Sequence, residues 1–349
     1  MLSITCSAGN QNLKTRITSF NAVKQFLFYP ADNNGLHGML DLSDSIKKII
    51  IIAATTPFPA KLRVSLRRNW LARLELGIAQ RANLLIIAHP KCGNTWLKVM
   101  LSRLYQVRFN LPDNLLNKSD EYARKHSEIP RLAASNGYYS YEGVIGDDLD
   151  IKNSNSTLRN KPILFIARNP IDIAVSWYFQ FTKRQSAQKQ ELINHFIDHP
   201  VDRNTITMWD FVRHSDIGLL FLIEFLNQWE KTLVTCPNSL IIRYEDLRVH
   251  PVKTLTKITK LMKESFTAEE IQHAVDYGSF DNQRKLESTG FFKQGGMTLR
   301  NPKDSESFKT RRGKVSGYTD YFNSEQRQEL EELMMTNLSS TFNYQPLSK

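Results

Sequence analysis

"LLIIAHPKCGNTW", residues 84–96, sets five apolar residues, Leu84 to Ala88, ahead of a polar turn and then takes up helical spacing. The apolar run is continuous rather than alternating, as expected for a strand buried on both faces of a parallel sheet. After the turn, Trp96, Leu97, Met100, Leu101 and Leu104 fall on one helical face. A helix entered near Gly93 exposes unpaired backbone N–H groups and the positive end of its dipole, and Lys91 adds a full charge. That combination is an anion cradle. It is not the GxxxxGK[ST] loop of nucleotide triphosphatases, because the lysine here precedes the glycine.

The pattern recurs. ILFIA (163–167) precedes RNPIDIAVS, and SLIIR (239–243) precedes YEDL. Leu255, Ile258, Leu261 and Met262 mark a later amphipathic helix. Short buried strands alternating with helices make an α/β protein with a parallel sheet. In such sheets ligands sit beyond the carboxyl ends of the strands, where the three polar clusters are expected to meet. In the second cluster Arg168 leaves a strand end, Pro170 suits a first helical turn, and Ser176 lies just over two helical turns beyond Arg168. The guanidinium fork and the hydroxyl suit a phosphate. Near the C-terminus, "RRGKVSGY" places Arg311, Arg312 and Lys314 around Gly313, where the backbone is free to approach an anion.

Composition agrees with a local anion site. The 46 Lys and Arg outnumber the 35 Asp and Glu, a net charge of +11, but the excess is spread along the chain with no polybasic block, which argues against a nucleic-acid face. The three cysteines, Cys6, Cys92 and Cys236, lack the spacing of a disulfide framework or zinc site, and no metal is expected. Ile49 to Ala54 is too short to span a bilayer, and residues 1–30 lack the features of a signal peptide, so no integral membrane segment and a cytoplasmic location are expected. Residues 1–60 show no sustained period and are read as an irregular extension. Residues 61–82 form a basic amphipathic helix with Leu62, Leu66, Trp70 and Leu74 on its apolar face, and residues 83–349 form the main domain.

In this order the motifs resemble the sulfotransferase family that uses 3′-phosphoadenosine 5′-phosphosulfate (PAPS), over about residues 83–335. "PKCGNTW" is similar to the family's 5′-phosphosulfate loop, "RNPIDIAVS" to its 3′-phosphate motif and "RRGKVSGYTDYF" to its C-terminal basic loop; "RYEDL" and "GSFDN" match two further stretches. The RRGKV-x-GY form looks more bacterial than animal. The resemblance implies a three-layer, P-loop-like α/β fold with a central parallel sheet flanked by helices. It implies that Lys91, Cys92, Gly93, Asn94 and Thr95 hold the 5′ end, with Trp96 stacking on adenine. Arg168, Ser176, Arg311, Arg312 and Gly313 would take the 3′-phosphate, and Tyr244 and Phe280 would lie near the adenine. Two positions depart from the pattern: Cys92 replaces a usual serine, and Gly278 stands where many members carry Thr or Ser.

The implied reaction moves the sulfuryl group of PAPS to a hydroxyl or amine of a small-molecule, lipid or glycan acceptor, without metal, with Lys91 stabilising charge on the leaving phosphate. Many members carry a base histidine in a Lys-Thr/Ser-His stretch, whereas this chain reads "GYYSYEGVIGDDLD" over residues 137–150. Glu142 is the first choice of base and Asp147 the second, since burial raises a carboxylate toward working pH. Tyr138 to Tyr141, with Trp177, Tyr178, Phe179 and Phe181, suit either an apolar acceptor pocket or the core. Residues 183–205 suggest a cap over the site. The rival readings are a P-loop-type kinase and a basic nucleic-acid or membrane adaptor. The motifs leave the acceptor unnamed and the oligomeric state open.

Overall fold

The computed structural model of the chain describes residues 42–137, 156–195, 197–292, 297 and 307–347. Among the described residues two helices come first, α1 (Asp44–Thr55) and α2 (Ala60–Arg81). The expectation of an irregular segment over residues 1–60 fails at α1. Ser43 caps that helix by accepting from the Ile46 N–H, and the isoleucine run buries Ile51 against Trp70, Leu71 and Leu74 of α2. The face of α2 also differs from the expected stripe. Leu62 is exposed, whereas Arg67 is buried, its Nε donating to Thr55 Oγ1 at 2.7 Å. A guanidinium that bonds through Nε and Nη2 and pairs through Nη1 with Glu191 takes a place that hydropathy alone gives to a leucine.

The sheet follows, from β1 (Leu84–Ile87), through α3 (Asn94–Arg108), to β2 (Leu132–Ser135), β3 (Ile163–Ala167) and α4 (Pro170–Phe179). A π-helical turn, Gln180–Arg184, leads to α5 (Ala187–Asn194), α6 (Met208–Arg213), α7 (Leu219–Leu233) and β4 (Ser239–Arg243). Helices α8 (Tyr244–Val249), α9 (Pro251–Leu261), α10 (Ala268–Tyr277), α11 (Phe280–Ser288) and α12 (Ser324–Asn337) complete the chain.

Among the described residues four strands form one parallel sheet in the order β2-β1-β3-β4. Every residue of β1 and β3 is buried, which explains their unbroken Val/Ile/Leu-type runs: helices cover both faces. The order reverses at β1. The chain leaves β1 to form β2 on one side and returns to form β3 on the other, opening a crevice at the carboxyl ends of β1 and β3. Leu85↔Ile163 and Ile87↔Phe165 set the register that brings the turns after these two strands side by side.

Candidate active site

The turn after β1 enters α3 through Gly93, whose φ of +94° is a conformation L side chains rarely adopt. A Cβ at Gly93 would also lie 2.8 Å from the Tyr244 ring, so glycine is required both by the backbone and by its neighbour. Leu97 N–H donates to Gly93 O at 3.0 Å, the bond that closes the first turn, and the earlier amides of α3 have no acceptor within the helix. Asn94 Oδ1 is buried without a hydrogen-bond partner among the described residues.

Lys91 is only 9% exposed, and its Nζ donates to Gln180 Oε1 at 3.4 Å. Burial, and then the charges of Lys309, Arg184, Arg168 and Arg311, push its pKa well below the usual lysine range. A bound anion would relieve that repulsion. Arg168, at the end of β3, donates from Nη1 to Lys91 O at 2.9 Å, lies 4.4 Å over the Tyr244 ring and approaches Asp172 at 3.7 Å. Its Nε is buried with no hydrogen-bond partner among the described residues.

The basic loop closes the third side. Gly313 has φ of +59°, and a Cβ there would meet Phe280 at 2.5 Å. Arg311 lies 4.2 Å over the Phe179 ring and donates to Tyr321 Oη, while Arg312 and Lys314 both pair with Asp320, at 3.0 and 2.7 Å. Asp172, 3% exposed, accepts from Ser316 N–H at 2.8 Å and Tyr318 N–H at 3.0 Å, tying the loop to the first turn of α4.

These groups line one cleft of about 910 Å³, counted to its open mouth. Lys91, Gly93, Asn94, Thr95, Trp96, Arg168, Ser176, Tyr244, Phe280, Arg311, Arg312 and Gly313 all reach it. Cys92 does not. Its side chain is fully buried, its N–H donates to His89 O at 3.1 Å within the turn, and burial pushes its thiol pKa up, so its side chain packs beneath the turn. Glu142 and Asp147 lie outside the described residues. Trp177 and Phe181 belong to the core with Ile193 and Phe211 rather than to an acceptor pocket. Arg203, near the end of the expected cap, donates to Thr182 O and Gln185 O at its start.

The sequence reading missed several groups. Lys309 and Arg248 line the cleft, the latter 5.4 Å over the Trp96 ring. Lys309 stands two residues before Arg311, inside a basic run that was legible, but its nearness to Lys91 is a product of the fold. Gly278 also finds its reason. A Cβ there would lie 2.5 Å from Met100, and its carbonyl accepts from Trp96 Nε1 at 2.6 Å, so it fixes the indole through the backbone.

The family model described as "Sulfotransferase domain" matches residues 81–342. The chain belongs to the sulfotransferase family. This sulfotransferase is 25% identical to "Cytosolic sulfotransferase 5" of Arabidopsis thaliana over 292 residues, covering 75% of its own chain and 81% of the relative. It is 22% identical to "Sulfotransferase 6B1" of Danio rerio over 270 residues, with 75% and 80% covered. A mouse sulfotransferase, SULT7A1, solved in complex with PAP, overlays with a TM-score of 0.47 at 18% identity, covering 75% of this chain and 87% of that one. The protein is therefore an enzyme that transfers a sulfuryl group from PAPS to an acceptor. The cations crowded around Lys91 make the cleft suited to an anionic ligand. Among the described residues no helix is long and apolar enough to cross a membrane.

Proposed function

We propose that the cleft binds PAPS with its reacting end at Lys91 and the first turn of α3, and its 3′-phosphate between Arg168, Ser176 and the loop Arg311–Gly313. The observation that carries this reading is the meeting of three sequence-distant basic segments, at Lys91, Arg168 and Arg311–Gly313, in one cleft. Trp96, held by the Gly278 carbonyl, Tyr244 and Phe280 would form the adenine wall. Arg168→Ala should weaken adenosine 3′,5′-bisphosphate by about 2 kcal/mol in calorimetry, the scale of a lost charge-assisted contact; unchanged affinity would place the 3′-phosphate elsewhere.

PAPS supplies the sulfuryl group. The Lys91 ammonium stabilises negative charge on the leaving phosphate oxygen, and the open amides of α3 share that task with dipoles fixed before reaction. Gln180, accepting from Lys91 Nζ, holds the ammonium in place. Glu142, or failing it Asp147, removes the acceptor proton in this proposal. Glu142→Gln should slow weakly acidic alcohols far more than readily ionised phenols, since a phenol needs less help to lose its proton. Equal slowing of both, or of neither, would pass the role to Asp147. A cytosolic setting is proposed from the relative whose name carries that word.

A further inference from the structure

Helix α11 turns one face to the basic loop. Phe280, Arg284 and Glu287 follow one another at four and then three residues, which aligns them along the helix, and each meets the segment 308–313. Phe280 lies where a Cβ on Gly313 would fall. The Arg284 guanidinium sits 3.8 Å over the Phe308 ring and donates from Nη1 to Thr310 O at 2.6 Å. Glu287 completes the row and is fully buried. Its Oε1 accepts from the Lys309 N–H at 2.5 Å, and its Oε2 accepts from the Thr310 N–H at 2.8 Å and the Thr310 hydroxyl at 2.6 Å.

Arg184 faces the same carboxylate. It is buried, lies 3.5 Å from Glu287 Oε1 and donates to Ser307 O. It also ends the π-helical turn that begins at Gln180, the acceptor of the Lys91 Nζ bond, so the pair stands on an element that already touches Lys91. Downstream, Asp172 holds the loop in the same manner, through the N–H groups of Ser316 and Tyr318, with Arg168 3.7 Å away. Two buried carboxylates, each accepting two backbone N–H groups and each beside an arginine, thus bracket residues 311–314, all of which line the donor cleft. Packing alone gives no reason for a charge at position 287, because a buried ion pair is often no more stabilising than apolar residues of its volume. Backbone N–H groups of an irregular segment, which have no helix or sheet partner, do give one.

We propose that Glu287 is a positioning residue for the donor: through Lys309 and Thr310 it fixes the upstream end of the basic loop, and with it the selectivity of the cleft for a nucleotide carrying a 3′-phosphate. Glu287 does not line the cleft and acts only through the loop. A loop released at one end must be ordered again when the phosphate binds, which weakens a ligand that uses the loop and spares one that does not. The inference rests on the donor reading above, in which this loop serves the 3′-phosphate.

The test is calorimetry on the full chain with adenosine 3′,5′-bisphosphate and with AMP, for the wild type, Glu287→Gln and Thr310→Val. Glutamine keeps the shape of Glu287 but replaces one accepting oxygen with an NH2 group set against other donors. Bisphosphate affinity should fall about tenfold or more, the scale of one lost charge-assisted contact, while AMP affinity changes about twofold or less. Thr310→Val removes only the hydroxyl bond to Glu287 and serves if the glutamine variant does not fold; it should weaken the bisphosphate about threefold more than AMP. A role in the fold alone would weaken both nucleotides together or neither. That result in Glu287→Gln, or in Thr310→Val where the former does not fold, overturns the inference and leaves the donor reading intact. Equal binding of the two nucleotides by the wild type overturns the donor reading and this inference with it.

Discussion

Lys91 is assigned the central chemistry of the proposed site, and its environment is hostile to its charge. Burial and four cationic neighbours lower its pKa, so the folded state binds its proton less tightly than the unfolded chain does. For such a lysine the destabilisation is complete below the folded pKa and is relieved as pH rises toward the unfolded value. Lys91→Met should therefore raise the melting midpoint of the free protein near neutral pH while lowering turnover on the order of a hundredfold or more, the cost of one lost transition-state donor. A variant that is both less stable and fully active would remove Lys91 from the proposed role. The lysine was legible in the sequence because a charged residue in a strand-to-helix turn has few structural duties. Asp172 and Lys309 were not, since a carboxylate in a first helical turn reads as ordinary dipole compensation and a lysine in a basic run reads as solvated.

Elements bring these residues together. The runs that became β1, β3 and β4 were visible as continuous apolar stretches, and their order of polar clusters anticipated the cleft. Strand β2, Leu-Ala-Ala-Ser, lacks β-branched and aromatic residues and carries no such signal; it is a strand because it pairs with β1. Helix α1 was hidden because four consecutive isoleucines show no helical period. Between elements, the decisive link is Asp172, which joins α4 to the basic loop through two backbone N–H groups and faces Arg168. Asp172→Ala leaves those amides unpaired and Arg168 without its carboxylate, and should cost on the order of 3 kcal/mol in denaturant unfolding. It should also weaken adenosine 3′,5′-bisphosphate much more than AMP, because the freed loop is the one proposed to hold the 3′-phosphate. Equal weakening of both nucleotides would show that Asp172 supports the fold alone.

At the scale of the whole molecule, a reversal of strand order at β1 gathers segments that lie far apart in the chain, and the cations that the proposed donor site brings together repel one another in the free protein. A ligand of the native state then stabilises the fold by about 2.7 kcal/mol at a hundred times its dissociation constant. The central claim is that this stabilisation depends on the 3′-phosphate, which is assigned to Arg168 and to the basic loop tied down by Asp172. Its most direct test is calorimetric titration of the wild-type chain with adenosine 3′,5′-bisphosphate and with AMP under identical buffer and salt. The account predicts that the bisphosphate binds about a hundredfold or more tightly, as expected when two or more charge-assisted contacts to one phosphate are lost together; equal affinities for the two nucleotides would contradict it.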